Sequence, residues 1–425
     1  GAYLTISGVT LLQTITFFHQ SGSSSVELYA VEVDGSVLVD GDGSAPLGFQ
    51  PDLVWVKNRD ESVSHFVYDA VRGANKYLRT DTLNAQDTGS SNQLSFNSNG
   101  FTVSGAGGGV NKNNVDFVAW AWRANGAGSA LNTGSIPATV SANTTYGFSI
   151  VKYEGTGANG TVAHGLSTAP KFFFGRNIDD TSGSRDWIVY HESVGNTGRL
   201  KFTTGTTSTS STFFQDTSPS DSLITIGTSN DINKDNDDYV LYCWSEISGF
   251  SKFGSYTGTG SANVSVTTGF KPSLVIIKET TTANPWYLYD NTRGTSNILW
   301  ANSSNSESDI GAGNGTDQNG LTINDDGFTI PHTLSGTNRN GGTFIYAAFA
   351  DKPDQSAIDC MVDTPANADA NSGNNRGNYA VLNPLNMHNT NNSLSNGNLE
   401  FTTSGSDGGL QESTIGMSSG KFYFE

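Results

Sequence analysis

The chain has 425 residues, of which 35% are hydrophobic and only 15% charged, and its formal net charge is −18. This length exceeds what one ordinary hydrophobic core organises, so several domains are expected. The negative charge is spread along the chain. Nucleic-acid binding requires clustered lysines and arginines, so the composition argues against it. The apolar runs are too short to cross a membrane, which argues against membrane insertion.

The N-terminal residues 1–43 are predicted to be the end of an upstream β domain. Two strand-like runs, Val26–Val33 and Val37–Val39, flank the turn residues Asp34 and Gly35, which predicts a closing hairpin.

The rest of the chain is dominated by one spacing of motifs that occurs three times. In each copy a proline leads through an apolar run to a basic residue, a tyrosine and glycine follow, and a third apolar run closes the copy. The three copies are Pro51–Lys57, Tyr68, Gly73 and Phe117–Trp122; Pro170–Arg176, Tyr190, Gly195 and Tyr239–Trp244; Pro272–Lys278, Tyr289, Gly294 and Phe344–Phe349. The distance from proline to last aromatic residue varies by only a few residues, so the copies are predicted to be one folded module used three times.

These motifs and the intervening composition divide the chain. The predicted division is an upstream end at 1–43, module one at 44–125, a linker at 126–144, module two at 145–249, module three at 250–352, a linker at 353–378 and a further β domain beginning at 379–425. The last part stops within a strand-like pattern, so we expect it to be the start of a longer domain.

The predicted fold class is all-β, with tandem antiparallel β-sandwich modules of jelly-roll or lectin-like type. Strand-like runs of four to seven residues alternate with turns, and seven Asn-Gly pairs suit tight hairpins. No window has the sustained periodicity of a long amphipathic helix.

The most metal-like string runs from Asp231 to Asp237, with alternating oxygen ligands that resemble the start of a calcium loop. It lacks the usual glycine and the downstream glutamate, and it aligns with Asn111–Asn114 and Asn338–Gly341 in the other modules. A shared turn before the last strand is therefore the favoured interpretation. Asp40 and Asp42 could also hold a cation, but an interdomain turn is the simpler explanation.

Other patterns that carry chemistry in enzymes are present only in part. Gly416–Gly420 matches a nucleophile elbow by letter, but a strand follows it where the motif requires a helix. The acidic pairs Asp179-Asp180, Asp237-Asp238 and Asp325-Asp326 lie in turn-like stretches, and no pair recurs in all modules. The histidines, which are His19, His65, His164, His191, His332 and His388, show no metal-ligand spacing. We therefore assign no catalytic, cofactor-binding or metal-binding residues and expect a protein that is not an enzyme.

Five tryptophans and Cys243 are interpreted as core residues. Trp120, Trp122, Trp187, Trp244 and Trp286 could stack on sugar rings, but they lie in strands that the repeat marks as core. Cys243 lies within a strand pattern and is predicted to be a small buried side chain, with a disulfide to Cys360 as the alternative.

The module resembles a repeated module of phage tail and virion structural proteins, common in marine phages of cyanobacteria. The resemblance is carried by Gly48–Lys57, Tyr68–Gly73, Gly100–Val103 and Phe117–Trp122, and again by Gly269–Pro272, Tyr289–Gly294 and Gly327–Ile330. Module two departs from the pattern at Tyr190–Gly195, where the aspartate and arginine are replaced. The C-terminal segment, from Arg376–Pro384 to Ser418–Glu425, resembles the start of a SPRY-type, concanavalin-like domain.

The resemblance implies a virion component, such as a tail fibre or similar appendage, that spaces and presents domains for host-surface glycan recognition. The expected partners are other copies of the chain, with a homotrimer favoured, other tail or capsid proteins and a host glycan, and the expected location is the virion surface. The alternatives are a head fibre or capsid decoration protein, a capsule polysaccharide depolymerase and a secreted bacterial adhesin. A depolymerase would require a cleft with paired carboxylates.

Overall fold

The fold is given by a computed structural model. It describes residues 47–202, 206–309, 320–332 and 334–351, together with the backbone of six short strands outside those ranges. The regular secondary structure of the described chain is almost entirely antiparallel β-sheet, and its helices α1, α2 and α3 span one turn each (Ser211–Phe214, Asn230–Asn233 and Ser335–Asn338). The predicted all-β fold class is confirmed.

Near the N-terminus, β1 (Val31–Val33) pairs antiparallel with β2 (Ser36–Leu38). Six strands form module one: β3 (Leu53–Asn58), β4 (Phe66–Asp69), β5 (Tyr77–Arg79), β6 (Gln93–Asn97), β7 (Gly100–Ser104) and β8 (Phe117–Trp122). The main sheet has the order β5-β4-β3-β8, and the hairpin β6-β7 forms a second layer.

Module two has a larger main sheet, with the order β16-β15-β14-β13-β18-β11-β10-β9, and a second layer of β12-β17. Its strands are β9 (Ser129–Leu131), β10 (Ala138–Asn143), β11 (Phe148–Glu154), β12 (Gly160–Ala163), β13 (Phe172–Asn177), β14 (Ile188–His191), β15 (Gly198–Lys201), β16 (Ser208–Thr209), β17 (Leu223–Ile226) and β18 (Asp238–Trp244). Residues 126–144, predicted as a linker, contain β9 and β10, which extend this sheet.

Module three has a main sheet of order β19-β27-β21-β22-β23-β24 and a second layer of order β20-β26-β25. Its strands are β19 (Ser251–Thr257), β20 (Val264–Thr267), β21 (Leu274–Glu279), β22 (Tyr287–Asp290), β23 (Asn297–Trp300), β24 (Ser308–Asp309), β25 (Thr322–Asn324), β26 (Gly327–Ile330) and β27 (Thr343–Phe349). Towards the C-terminus, β28 (Leu382–Met387) pairs with β31 (Gln411–Ser413), and β29 (Asn392–Ser395) pairs with β30 (Glu400–Thr403).

The three modules share one strand order around equivalent central strands. β3, β13 and β21 each begin two residues after the repeated proline, and each lies between the tyrosine strand and the closing strand of its module. In all three, the first residue of the central strand pairs with the last aromatic residue of the closing strand: Leu53 with Trp122, Phe172 with Trp244 and Leu274 with Phe349. The sequence repeat is therefore a structural repeat.

Each central strand is buried on both faces, because it separates two hydrophobic cores. On β3, Val54 and Val56 pack in a core that belongs to module one alone, with residues of the β6-β7 layer. Leu53 and Trp55 point the other way, into a second core. Modules two and three repeat this division, each with its own core on one face.

The second core is common to all three modules, and its centre is a triangle of aromatic rings. Trp122, Trp244 and Phe349 occupy equivalent positions, and their ring centroids lie 5.6 Å, 5.7 Å and 6.0 Å apart. Since these three rings come from three modules and meet at one point, the modules are arranged around an approximate threefold axis.

Backbone hydrogen bonds close the same ring farther from the axis. The residue after each central strand accepts a bond from the next module: Ile178 O from Gln86 N at 2.9 Å, Thr280 O from Thr207 N at 2.8 Å, and Arg59 O from Glu307 N at 2.7 Å. The three modules are therefore not independent units joined by linkers, because they enclose one hydrophobic core.

Candidate functional site

The basic residue at the end of each repeated apolar run is buried, and in modules one and three it binds the loop that follows the central strand. Lys278 Nζ donates to the carbonyl oxygens of Glu279, Thr282 and Asn284 at 2.6–3.0 Å. Lys57 binds two carbonyls of its own module in the same way, at 2.5 Å and 3.2 Å. Burial lowers the pKa of both lysines to about 8. The repeated lysine therefore anchors a loop and is not offered to a ligand.

Arg176 occupies the equivalent position in module two and reaches across to module one. Its Nη1 donates to the carbonyl oxygen of Thr82, and its guanidinium lies 5.8 Å from the ring of Trp187. Burial lowers the pKa of Arg176 to about 10, although Asp186 and Asp180 oppose that shift. We call each contact zone between two modules a junction, and Arg176 belongs to the junction of modules one and two.

The Tyr-Asp-x-x-Arg-Gly motif forms a buried ion pair in modules one and three. Arg72 Nε contacts Asp69, and both side chains are fully buried; Arg293 Nε lies 2.6 Å from Asp290. In each pair the arginine backbone N–H also donates to the same carboxylate. The motif glycine that follows has a positive φ, 94° at Gly73, which closes the turn.

Each ion pair is completed by a donor from the neighbouring module. The Tyr242 hydroxyl donates to Asp69 at 2.7 Å, and Trp120 Nε1 donates to Asp290 at 3.2 Å. Burial raises the pKa of Tyr242 well above its ordinary value, so the hydroxyl keeps the proton that it donates. Tyr242 and Trp120 are equivalent positions on their closing strands, two residues before the aromatic triangle.

The third junction uses a histidine where the other two use an ion pair. The residue equivalent to Trp120 and Tyr242 is Ala347, which has no side-chain donor, and His191 replaces the motif aspartate. His191 Nε2 donates to the Tyr346 carbonyl at 3.0 Å, while its Nδ1 accepts from Ser193 N at 3.1 Å. The departure of module two from the repeated motif therefore compensates for an alanine in module three.

A second set of contacts crosses the junctions one strand farther out. Trp187 Nε1 donates to the Arg79 carbonyl at 2.9 Å, and Trp286 Nε1 donates to the Lys201 carbonyl at 3.2 Å. His65 is the equivalent residue of module one, since all three lie three residues before the motif tyrosine. Its Nδ1 accepts from Trp55 Nε1 at 2.9 Å, and its Nε2 faces the Trp300 carbonyl without a hydrogen bond of good geometry.

Glu307 joins modules three and one through two arginines. Its carboxylate oxygens lie 2.7 Å from Arg59 Nη2 and 2.5 Å from Arg293 Nη1. Burial alone would raise the pKa of Glu307, but the hydrogen bonds from Arg59 and Arg293 hold it below its ordinary value. The carboxylate is thus ionised and committed to the junction.

The calcium-like string forms a turn that modules two and three share. Asn233, within the string, is fully buried: its side chain accepts from Thr156 N at 2.8 Å and donates to Ala158 O at 2.6 Å. Asn338 makes the same two kinds of contact in module three. Asp231 and Asp237 pair with the lysines Lys201 and Lys234. Among the described residues, no group of three or more acidic, histidine or cysteine side chains is placed to hold a metal ion.

The acidic pairs lie in turns and bind backbone amides or lysines. Asp180 accepts from Ser184 N and Arg185 N at 2.9 Å and 2.7 Å, and Asp179 accepts from Asp238 N at 2.7 Å. Asp325 lies at the surface beside Lys271. None of these carboxylates lines the described cleft beside the module three motif turn.

The tryptophans are core residues, as expected. Each of the five candidates is less than a tenth exposed, and all five lie in or against the common core. Cys243 is a fully buried free thiol whose pKa is raised by burial. His65, His164 and His191 are buried, whereas His332 is exposed. The remaining candidates, Asp40, Asp42, Gly416–Gly420, His19, His388 and Cys360, lie outside the described residues.

One shallow cleft of about 470 Å³ opens beside the module three motif turn. It is lined by Asn291, Gly294 and nearby residues up to Ser296, and by residues 320–323, none of which is ionisable. Within the part of the chain that the structure describes, no helix is long and apolar enough to cross a membrane.

The junctions are the feature that the sequence reasoning missed. The signal was nevertheless present, because the central strands are apolar at successive positions rather than at alternate ones. Such strands are typical of sheets covered on both faces.

A family model, described as a domain of unknown function (DUF7483), matches residues 34–353. The chain belongs to the DUF7483 family. The match extends over all three modules as one unit, in agreement with their common core. No curated protein and no solved structure matches the chain significantly. The DUF7483 domain of this chain is thus a closed ring of three modules whose buried polar groups hold the ring together.

Proposed function

We propose that this protein is a structural component of a phage virion, a tail fibre or similar appendage that spaces and presents domains for host-surface glycan recognition. The observation that carries the proposal is the ring itself. Three modules share one core, and its tryptophans, the buried histidines His65, His164 and His191, and the motif ion pairs are committed to packing or to internal hydrogen bonds. An architecture that commits its chemical groups to internal contacts favours a mechanical role over a catalytic one.

The charge and the resemblance of the modules to phage virion proteins add support. A net charge of −18 favours solubility at high copy number, which a repeated particle component requires.

The homotrimer is part of the proposal, with lateral contacts between copies on the outer surfaces of the rings. Sedimentation of the intact chain at micromolar concentration decides the point. A trimer supports the fibre, whereas a clean monomer favours a head fibre or decoration protein that docks one chain at a time.

The location is tested by immunogold labelling of particles released from cells that carry this gene, with antibodies against residues 47–351. Label on particle appendages is the expected result. Label that follows cells and never particles would overturn the proposal in favour of a bacterial adhesin. Release of reducing ends from capsule polysaccharide by the purified protein would overturn it in favour of a depolymerase.

A further inference from the structure

The closing strand of module one has an open edge where those of the other modules are covered. β18 pairs along its whole length with β11, and β27 pairs along its whole length with β19. β8 pairs with β3 alone among the described strands. An open edge exposes unpaired backbone groups and can accept another strand.

Exposure along β8 shows what the missing strand would cover. Ala119 is exposed, whereas its counterparts Leu241 and Tyr346 are 1% and 5% exposed. Phe117 and Val118 are half-buried, although the equivalent residues in β18 and β27 are fully buried. The core that belongs to module one alone, which we call its private core, also contains half-buried residues, including Phe96 and Phe101. Apolar side chains beside the open edge of β8 are therefore left partly uncovered, and a fifth strand of the main sheet would cover them.

The repeat indicates which part of the chain belongs there. In modules two and three the covering strand ends at a Glu-Gly or Thr-Gly pair, Glu154-Gly155 or Thr257-Gly258, ahead of the module proline. Each glycine packs against the turn before the closing strand. A Cβ added at Gly155 would lie 2.2 Å from the Lys234 carbonyl oxygen, and one added at Gly258 would lie 2.2 Å from the Arg339 carbonyl oxygen. Asp34-Gly35 stands before Pro51 at nearly the same distance.

We propose that Leu28–Asp34 is the fifth strand of module one and pairs antiparallel with β8. Transferring the registers of β11 and β19 places Leu28 opposite Trp122 and Asp34 opposite Asp116. Leu28 and Ala30 would then enter the common core, and Tyr29, Val31 and Val33 would enter the private core of module one. Glu32 would take the position of Lys152 and Ser255, which are half-buried and exposed.

The hairpin near the N-terminus is compatible with this arrangement. A strand has two edges, and β1 uses one of them to pair with β2, so the other remains for β8. The connection to Pro51 is only one or two residues longer than its counterparts in modules two and three, which favours the chain's own segment over a strand from a second copy.

A pair of cysteines tests the register. With Cys360→Ser as background, Val31→Cys with Ala119→Cys places two directly opposed residues within disulfide range, whereas Val33→Cys with Ala119→Cys sets them diagonally apart. Under mild oxidation at low protein concentration, the first pair is expected to form an intramolecular disulfide in most molecules and the second in few. Equal crosslinking of both pairs, no crosslinking of the first, or crosslinked dimers would overturn the proposal, and dimers would point to strand exchange between copies.

Hydrogen exchange in the unmodified chain is a second test of whether the edge of β8 is covered, and it needs no substitution. If the edge is covered, amide exchange in residues 117–122 is as slow as in residues 239–244. Exchange in β8 that is faster by several orders of magnitude, with β18 still protected, would contradict the proposal.

Discussion

The hydroxyl of Tyr242 in module two lies 2.7 Å from the carboxylate of Asp69 in module one, and both side chains are fully buried. Tyr242 also accepts from Arg72 Nη2 at 3.1 Å, so one hydroxyl bridges both members of the ion pair. A buried charge is tolerated only where its hydrogen bonds are satisfied. Module one therefore depends on module two for a polar group inside its own motif.

Replacing this hydroxyl should weaken the whole ring. Tyr242→Phe removes a hydrogen bond to the carboxylate of a buried ion pair, and we expect a loss of about 1.5–3 kcal/mol in the free energy of unfolding, measured by urea titration. The matched control is Tyr256→Phe, which removes a hydroxyl bond to the Thr337 carbonyl inside module three. The control should lose about 1 kcal/mol. Equal losses from both variants would contradict a special role for the junction.

The repeated lysine should contribute more to the free energy of unfolding than a surface lysine does. Lys278→Met leaves three loop carbonyls without their donor, and we expect a destabilisation of about 2–3 kcal/mol. Lys271→Met is the matched control, because Lys271 is exposed and pairs with the exposed Asp325. That change should alter stability by less than about 1 kcal/mol. Thermal or urea unfolding measures both, and a neutral Lys278→Met would show that the loop does not need its anchor.

Acid should destabilise the domain before its carboxylates titrate. Burial lowers the pKa of His191 to about 4, so between pH 6.5 and 4 the unfolded chain binds a proton that the folded chain does not. Stability must then fall as the pH falls, by about 2 kcal/mol for this residue between pH 7 and pH 5. The pKa values of His65 and His164 are also lowered by burial and act in the same direction.

The contribution of His191 is isolated by comparing the pH dependence of the unfolding free energy with that of His191→Gln. The variant should be less stable at pH 7, because it loses the fit of the imidazole, yet its stability should decline less steeply from pH 7 to pH 5. Parallel curves for the two proteins would mean that His191 does not titrate as described.

The aromatic triangle should be sensitive to the loss of a single ring. Trp244→Ala leaves a cavity against Trp122 and Phe349, and we expect a cost of about 3–5 kcal/mol in one cooperative transition. Trp244→Phe keeps an aromatic ring and should cost markedly less. Calorimetry measures both variants. A transition that splits, with modules one and three unfolding as in the parent chain, would show that the ring does not share its core.

The β fold, the repeat and the buried tryptophans could be predicted from the sequence, because strand length, turn residues and regular spacing are local properties. The ring could not be predicted from these alone. Continuous apolar runs such as Leu53–Val56 indicate burial on both faces, yet they do not say whether the second face meets another module or another chain. The bond from Tyr242 to Asp69 joins residues that are distant in sequence, and nothing local to either residue indicates the other.

The central claim is that the three modules form one cooperative unit around a common core. Native-state hydrogen exchange at increasing, sub-denaturing urea tests it most directly, with the slowest amides of β3, β13 and β21 as reporters of the three modules. The ring predicts that all three central strands open with the same free energy and the same dependence on urea. Three distinct opening free energies, each with a shallow urea dependence, would contradict the ring and support independent tandem modules.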